Sequence, residues 1–201
     1  EEACSDVFSL KEDRMKKFIV EEEFKEVFPD YKLGVVVCKN IDNHVRDENM
    51  YRTLLDDAKK ESLKFIEDEN FSSNEVIRTW RDAYSRFKTK KGARSSIEAL
   101  LKRVSKGNDI GTINPLVDIY NSISLKYGLP CGGEDIDKFE GNIRLTKALG
   151  NEEFVTYGSD ICEPPYEGEI IYKDEKGAVC RCFNYRECVR TCLSEDTISA
   201  F

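Results

Sequence analysis

Three short stretches of this 201-residue chain hold polar groups that packing does not require. Asn121 interrupts an apolar helical pattern, where its amide competes with backbone hydrogen bonds. Gly132-Gly133-Glu134-Asp135 forms a compact polar turn, and Asn184-Tyr185-Arg186-Glu187 follows a strand-like apolar run. Carboxylates can orient or deprotonate water, amides and guanidinium groups can polarise a carbonyl, and paired glycines let a backbone approach a ligand closely. The alternatives are ordinary: a tight turn whose glycines take positive φ, and a surface ion pair. If the groups form a site, all three stretches must converge on one cleft.

The elements that would position them can be read from pattern. Asn114 and Pro115 suit the first turn of a helix carrying Leu116, Ile119, Tyr120, Ile123 and Tyr127, and Gly128 and Pro130 stop it, which predicts a helix over 115–127. Ser72-x-x-Glu75 and Ser95-x-x-Glu98 read as capping boxes opening helices on Val76, Ile77, Trp80, Tyr84 and on Ile97, Leu101, Val104. An amphipathic helix is expected over 49–66, a short one over 22–28, and a buried strand over 31–40 through Val35, Val36 and Val37. After residue 140 the pattern turns to strands at 143–149, 153–157, 169–173 and 178–184, the last two joined by Asp174-Glu175-Lys176-Gly177. Helices in the middle and strands late predict an α+β fold, a single domain with central helices packed on a mixed, largely antiparallel sheet. Residues 71–201 read as its core and 1–70 as a strand and helix part of the same domain.

Composition narrows the chemistry. At 40% hydrophobic the chain can bury a full core, and no apolar run is long enough to span a bilayer. Residues 1–30 do not read as a signal peptide, and eight scattered cysteines fit reduced thiols, so a cytoplasmic protein without disulfides or a membrane partner is expected. Cys180, Cys182, Cys188 and Cys192 are spaced poorly for zinc, and small buried thiols are the expectation; no metal and no cofactor is predicted. The single histidine, His44, reads as a loop residue, which removes most histidine-dependent mechanisms. Net charge is −8, yet residues 78–106 carry ten cations against two anions, or +8, leaving −16 elsewhere. An acidic protein with one basic stretch fits limited contact with phosphates rather than general coating, and DNA is not expected as a partner; a solvated helix surface explains the charge equally well.

The turn at 132–135 looks at first like the Gly-Gly-(Asp/Glu)-Glu-Phe signature of diguanylate cyclases, but it follows a helix stop and lacks the aromatic. A longer match is more specific. Asn114-Pro115, Asp118, Asn121, Pro130, Asp135, Gly141 and Ile143, with Trp80-Arg81, Tyr84, Ser95-Ser96, Glu98 and Asn184-x-Arg186, resemble the editing domain of the bacterial phenylalanyl-tRNA synthetase beta subunit, formed by its third and fourth B modules, as a free-standing copy. The resemblance implies a pocket for the aminoacyl end of tRNA, with hydrolysis of the ester on mischarged tRNA acting in trans. It implies a pocket at Asn121, Tyr120 and Glu187; on physical grounds the catalytic candidates are Glu134 or Glu187 to orient the water and Asn121 or Arg186 to polarise the carbonyl, with Gly132 and Gly133 admitting the terminal adenosine and Asn184 beside them in substrate binding. Arg86, Lys88, Lys90, Lys91 and Arg94 are the cations expected on tRNA phosphates. Gly132 stands where the synthetase pocket has a histidine, and Tyr185-Arg186 where it has a glycine pair, so a non-catalytic tRNA- or amino-acid-binding module is the rival.

Overall fold

The computed structural model describes residues 15–201. Helix starts and stops follow local chemistry. In α5 (Pro115–Tyr127) the Asn114 side chain accepts from the Val117 N–H at 3.1 Å, proline occupies the first turn, and Gly128 ends the helix at φ 68°. In α4 (Ser96–Ser105) the Ser95 hydroxyl accepts from the Glu98 N–H at 3.3 Å, a cap of a kind that contributes about 1 kcal/mol.

The expected box at Ser72 is not the start of α3 (Glu75–Ser85): Ser72 lies in a 3₁₀ turn, Phe71–Ser73, and Asn74 occupies the N-cap position. The Asn74 amide turns backwards, accepting from the Asp68 N–H and donating to the Asp68 and Phe71 carbonyls. It closes the preceding loop instead of capping the helix.

Helix α2 (Glu48–Ser62) ends in a 3₁₀ turn, Leu63–Phe65, and runs alongside α5 in the same direction. Buried Asn43 ties their starts, donating to the Asn114 side chain and the Ser194 carbonyl while accepting from the Leu116 N–H. At the other end Phe65 packs so closely on Gly128 that a Cβ there would sit 3.1 Å from the ring. Between them lies an apolar core of Ala58, Ile77, Ile97, Leu101, Val104 and Leu125.

The sheet runs β1 (Phe18–Val20), β3 (Ile143–Lys147), β4 (Ile170–Lys173), β5 (Ala178–Arg181), β6 (Arg186–Glu187), with β1 parallel to β3 and the other pairs antiparallel. It is mixed and largely antiparallel, as an α+β fold requires. β1 and the short helix α1 (Glu22–Val27) bring residues 18–28 into this layer: Phe24 packs on Leu145 and Ile170 under Phe18, Phe28, Tyr172 and Phe183. Phe183 stacks on Tyr172 and meets Trp80 of α3, which joins the sheet to the helices. The opposite face is closed by Ala148, Phe154, Ile171, Ala178 and Cys188.

Two strand expectations change. Of residues 31–40 only β2 (Cys38–Lys39) pairs, with β7 (Ser199–Ala200), and Val35, Val36 and Val37 are exposed. Residues 153–157 make single bridges, Glu153 to Gly177, Val155 to Cys162 and Thr156 to Cys188, rather than a ladder.

Candidate functional site

The glycine loop is held from both sides. The Cys131 N–H donates to the Ser124 hydroxyl of α5 at 3.1 Å, four residues along the helix from Tyr120. Beyond the glycines, Glu134 exchanges both backbone hydrogen bonds with Phe201 at 3.0 Å, and the Asp135 N–H donates to the Thr191 carbonyl at 2.9 Å. The buried Asp135 carboxylate accepts from the Thr197 hydroxyl at 2.8 Å, which makes it a brace for this junction.

Neither Gly132 nor Gly133 takes positive φ, contrary to the turn expectation. Close approach explains the second: a Cβ on Gly133 would lie 3.1 Å from Leu193 Cδ1 and 3.4 Å from Tyr120 Cε1. Gly132 is exposed, and a Cβ on it would sit 3.6 Å from Glu187 Oε1, so the missing side chain leaves that carboxylate uncovered. Among the described residues the N–H groups of both glycines make no hydrogen bond.

Glu187 is aimed by a hairpin. β5 and β6 pair Arg181 with Arg186 and Cys180 with Glu187, across a turn in which Cys182 and Phe183 both take the left-handed region, φ 45° and 66°. Without glycine this conformation is strained, and the aromatic packing around Phe183 holds it. Strand alternation then sends Glu187 and Arg186 to opposite sides. Glu187 meets Glu134 and Tyr120, whereas Arg186 is exposed and its guanidinium lies 4.8 Å from the Tyr185 ring.

The electrostatics of this cluster are unusual. Glu134 is 7% exposed; burial first, then the charge of Glu187, push its carboxyl well above the usual carboxylate range. Burial raises Glu187 to about 7. Burial and the two carboxyls also push up the Tyr120 phenol and the Cys180 thiol. Glu134 Oε2 and the adjacent Thr191 hydroxyl are buried with no hydrogen-bond partner but each other among the described residues. Buried polar atoms so poorly supplied with partners are rare in folded proteins and call for an explanation.

Tyr120, Gly132, Gly133, Glu134 and Glu187 are therefore brought together. Asn121 is half-buried one position along α5 from Tyr120, about 100° round the helix axis. Asn184 lies apart from the carboxyls: its side-chain oxygen accepts from the Tyr84 hydroxyl at 3.1 Å and the Ser96 N–H at 2.9 Å, locking the hairpin turn to α3 and α4. Of the stretch 184–187 only Glu187 reaches the glycine loop, whereas Asn184 and Arg186 do not, so the three stretches do not converge whole on one cleft. Thr191 escaped sequence reading, and Cys180, read there as a small buried thiol, was not tied to Glu187, because only strand pairing reveals what faces that carboxyl.

The basic stretch divides. Arg81 binds buried Glu98, Lys102 lies over the Phe71 ring, Arg103 donates to the Asp109 carbonyl, and Lys90 binds Glu163 at 2.5 Å. Arg86, Lys88, Lys91 and Arg94 are exposed on the loop between α3 and α4, and Lys88 borders an open groove of about 560 Å³ lined by Leu149, Gly150 and Pro164 to Glu167. The loop leads into Ser96, which touches both Asn184 and the Cys131 carbonyl beside the glycines. His44 sits on an exposed loop 2.8 Å from Asp42. Among the described residues no group of three or more His, Cys, Asp or Glu is placed to hold a metal, and no helix is long and apolar enough to cross a membrane.

Comparison with known proteins shows the family. The chain is similar to the phenylalanine-tRNA ligase beta subunit of Fusobacterium nucleatum subsp. nucleatum, 33% identical over 79 residues, which are 39% of this chain and 10% of that relative. The matched segment thus spans about a tenth of the length of the curated relative. Residues 79–201 match the B3/4 domain, more than half of the sequence and the part that carries every residue of the carboxyl cluster: the chain belongs to the B3/4 domain family.

Proposed function

We propose that this protein interacts with tRNA and acts in trans, hydrolysing the ester of mischarged aminoacyl-tRNA. The observation that carries the reading is Glu187, a part-buried carboxyl of pKa about 7 that no side chain at Gly132 screens and that lies next to the buried Glu134. A general base works best when its pKa lies near the operating pH.

In this reading Glu187 takes a proton from water as the water oxygen attacks the ester carbonyl. The developing oxyanion accepts hydrogen bonds from the N–H groups of Gly132 and Gly133, which have no acceptor of their own among the described residues. When the tetrahedral intermediate collapses, the ribose oxygen leaves with the proton held by Glu187. An aminoacyl ester is already activated, so neither a nucleophile nor a metal is required. Tyr120 forms part of the pocket wall, Asn121 is assigned to its rim, and Asn184 positions the hairpin rather than the substrate.

Phosphate contact falls to Arg86, Lys88, Lys91 and Arg94, with Lys90 joining them when it leaves Glu163. Replacing Lys88, Lys91 and Arg94 with Glu should weaken tRNA binding strongly and flatten its salt dependence by about one unit of slope per lost phosphate. Unchanged binding in that variant moves the RNA contact elsewhere. A deacylation assay across a panel of mischarged tRNAs tests the reading itself. Release of one or a few amino acids, lost on Glu187→Gln, supports it; tRNA or amino-acid binding with no release on any member leaves the non-catalytic rival.

A further inference from the structure

We propose that Glu134 and Glu187 together receive the α-ammonium group of the aminoacyl moiety, so that only a substrate with a free amino group is taken. This rests on the carboxyl cluster being the site of the reading above, but it does not depend on turnover.

Two neighbouring carboxyls can both ionise only beside a cation, and none of the described side chains around them is free to supply one. Arg190 comes nearest by its effect on Glu134, yet both of its terminal nitrogens are engaged by Asp174, at 2.7 and 2.8 Å. Lys138 donates to the Cys192 carbonyl at 2.9 Å and lies 3.4 Å from Asp135. Arg186 is on the other side of β6. The remaining titratable groups, Tyr120 from α5, Cys180 from β5, and Cys188 and Cys192 beyond β6, carry no positive charge.

Glu134 Oε2 and the Thr191 hydroxyl are the second observation: two buried oxygens, side by side, whose one partner is each other and which receive no donor from elsewhere among the described residues. An ammonium group has three donors in a compact head and matches a set of acceptors of this kind. In an α-aminoacyl ester the nitrogen is attached to the carbon next to the carbonyl. A carboxylate that holds the nitrogen and a neighbour that reaches water at the carbonyl must therefore be adjacent, as Glu134 and Glu187 are. Bound ammonium also offsets the repulsion between the two carboxylates, so substrate binding itself ionises the base.

The test uses 3′-aminoacylamino-3′-deoxyadenosines carrying a panel of L-amino acids, with amides that cannot be hydrolysed as esters, and their N-acetyl counterparts, by titration calorimetry on the intact protein. The free amines should bind at least tenfold more tightly than the acetylated compounds. Near pH 7 their binding should release a proton, read as heats that vary with buffer ionisation enthalpy. Glu134→Gln and Glu187→Gln, each checked for a native melting profile, should reduce the preference toward unity. Equal binding of free and acetylated compounds overturns the proposal, as does a preference kept in both variants or no binding of either compound at millimolar concentration. A preserved amine preference with no ester hydrolysis would leave this proposal standing and remove the deacylase reading.

Discussion

Carboxyl groups on the two sides of one hairpin meet opposite fates. Glu169, fully buried, is met by the Arg181 guanidinium in a two-point contact at 2.6 and 3.1 Å, and Arg181 also donates to the Glu163 carbonyl at 2.9 Å. Across the strand, beneath Cys180, Glu134 and Glu187 share a neighbourhood with no cation among the described residues free to pair with them, and Glu134 Oε2 has only the Thr191 hydroxyl for a partner. The first arrangement is complete without a ligand; the second is not. A fold able to neutralise one buried carboxylate so fully has left the other pair unanswered, which marks that pair as serving something other than stability.

The contrast predicts a double dissociation. Glu187→Gln should lower deacylation by about two to four orders of magnitude, as loss of a general base does, while leaving the melting temperature at or above its original value. Glu169→Leu should do the reverse. It strands the Arg181 cation in the core and should cost about 3–5 kcal/mol of stability in denaturant titration, with little loss of activity per folded molecule. If Glu187→Gln unfolds the protein and Glu169→Leu abolishes hydrolysis, the two sides of the hairpin have been assigned the wrong way round.

A third expectation concerns pH. Glu187 ionises at about 7 in the folded protein against an ordinary value of 4.5, so between those values the folded state holds more protons than the unfolded state. Stability should fall as pH rises through this window, and Glu134, raised in the same direction, adds to the fall. Denaturant midpoints at pH 5 and pH 8 measure it, and Glu187→Gln should flatten the difference. The smallest effect is expected at the exposed pair: His44→Ala removes one contact with Asp42 and should change stability by no more than about 0.5 kcal/mol and hydrolysis not at all. A large loss of activity there would transfer the base from Glu187 to the histidine.

Helix α5 was legible because its punctuation is local: Asn114, Pro115 and Gly128 act on backbone within their own turns. Val35 to Val37 misled for the opposite reason. An apolar run predicts a buried strand only if a partner exists, and the ribbon available to it, β2 with β7, begins at Cys38. Ser72 misled because Asn74, two residues later, spends its amide on the loop before the helix. In the site, surplus polarity singled out Glu134 and Glu187, and the resemblance added Tyr120. It could not separate them from Asn184, whose amide looked equally unemployed until Tyr84 and Ser96 came within reach from α3 and α4. Thr191 carries no signal in the sequence; only the pairing of Asp135 with its carbonyl sets its hydroxyl beside Glu134.

The stitching of Glu134 to Phe201 and of Asp135 to Thr191 fixes an order of events during synthesis. Helices α2 to α5 close over their own core with residues that leave the ribosome early, while the segment 191–201 emerges after everything it holds in place. A nascent chain can therefore be helical and compact while its glycine loop is still slack and its two carboxyls apart. The pair comes together, with the electrostatic cost that this entails, only once the rest of the molecule is in place to hold it.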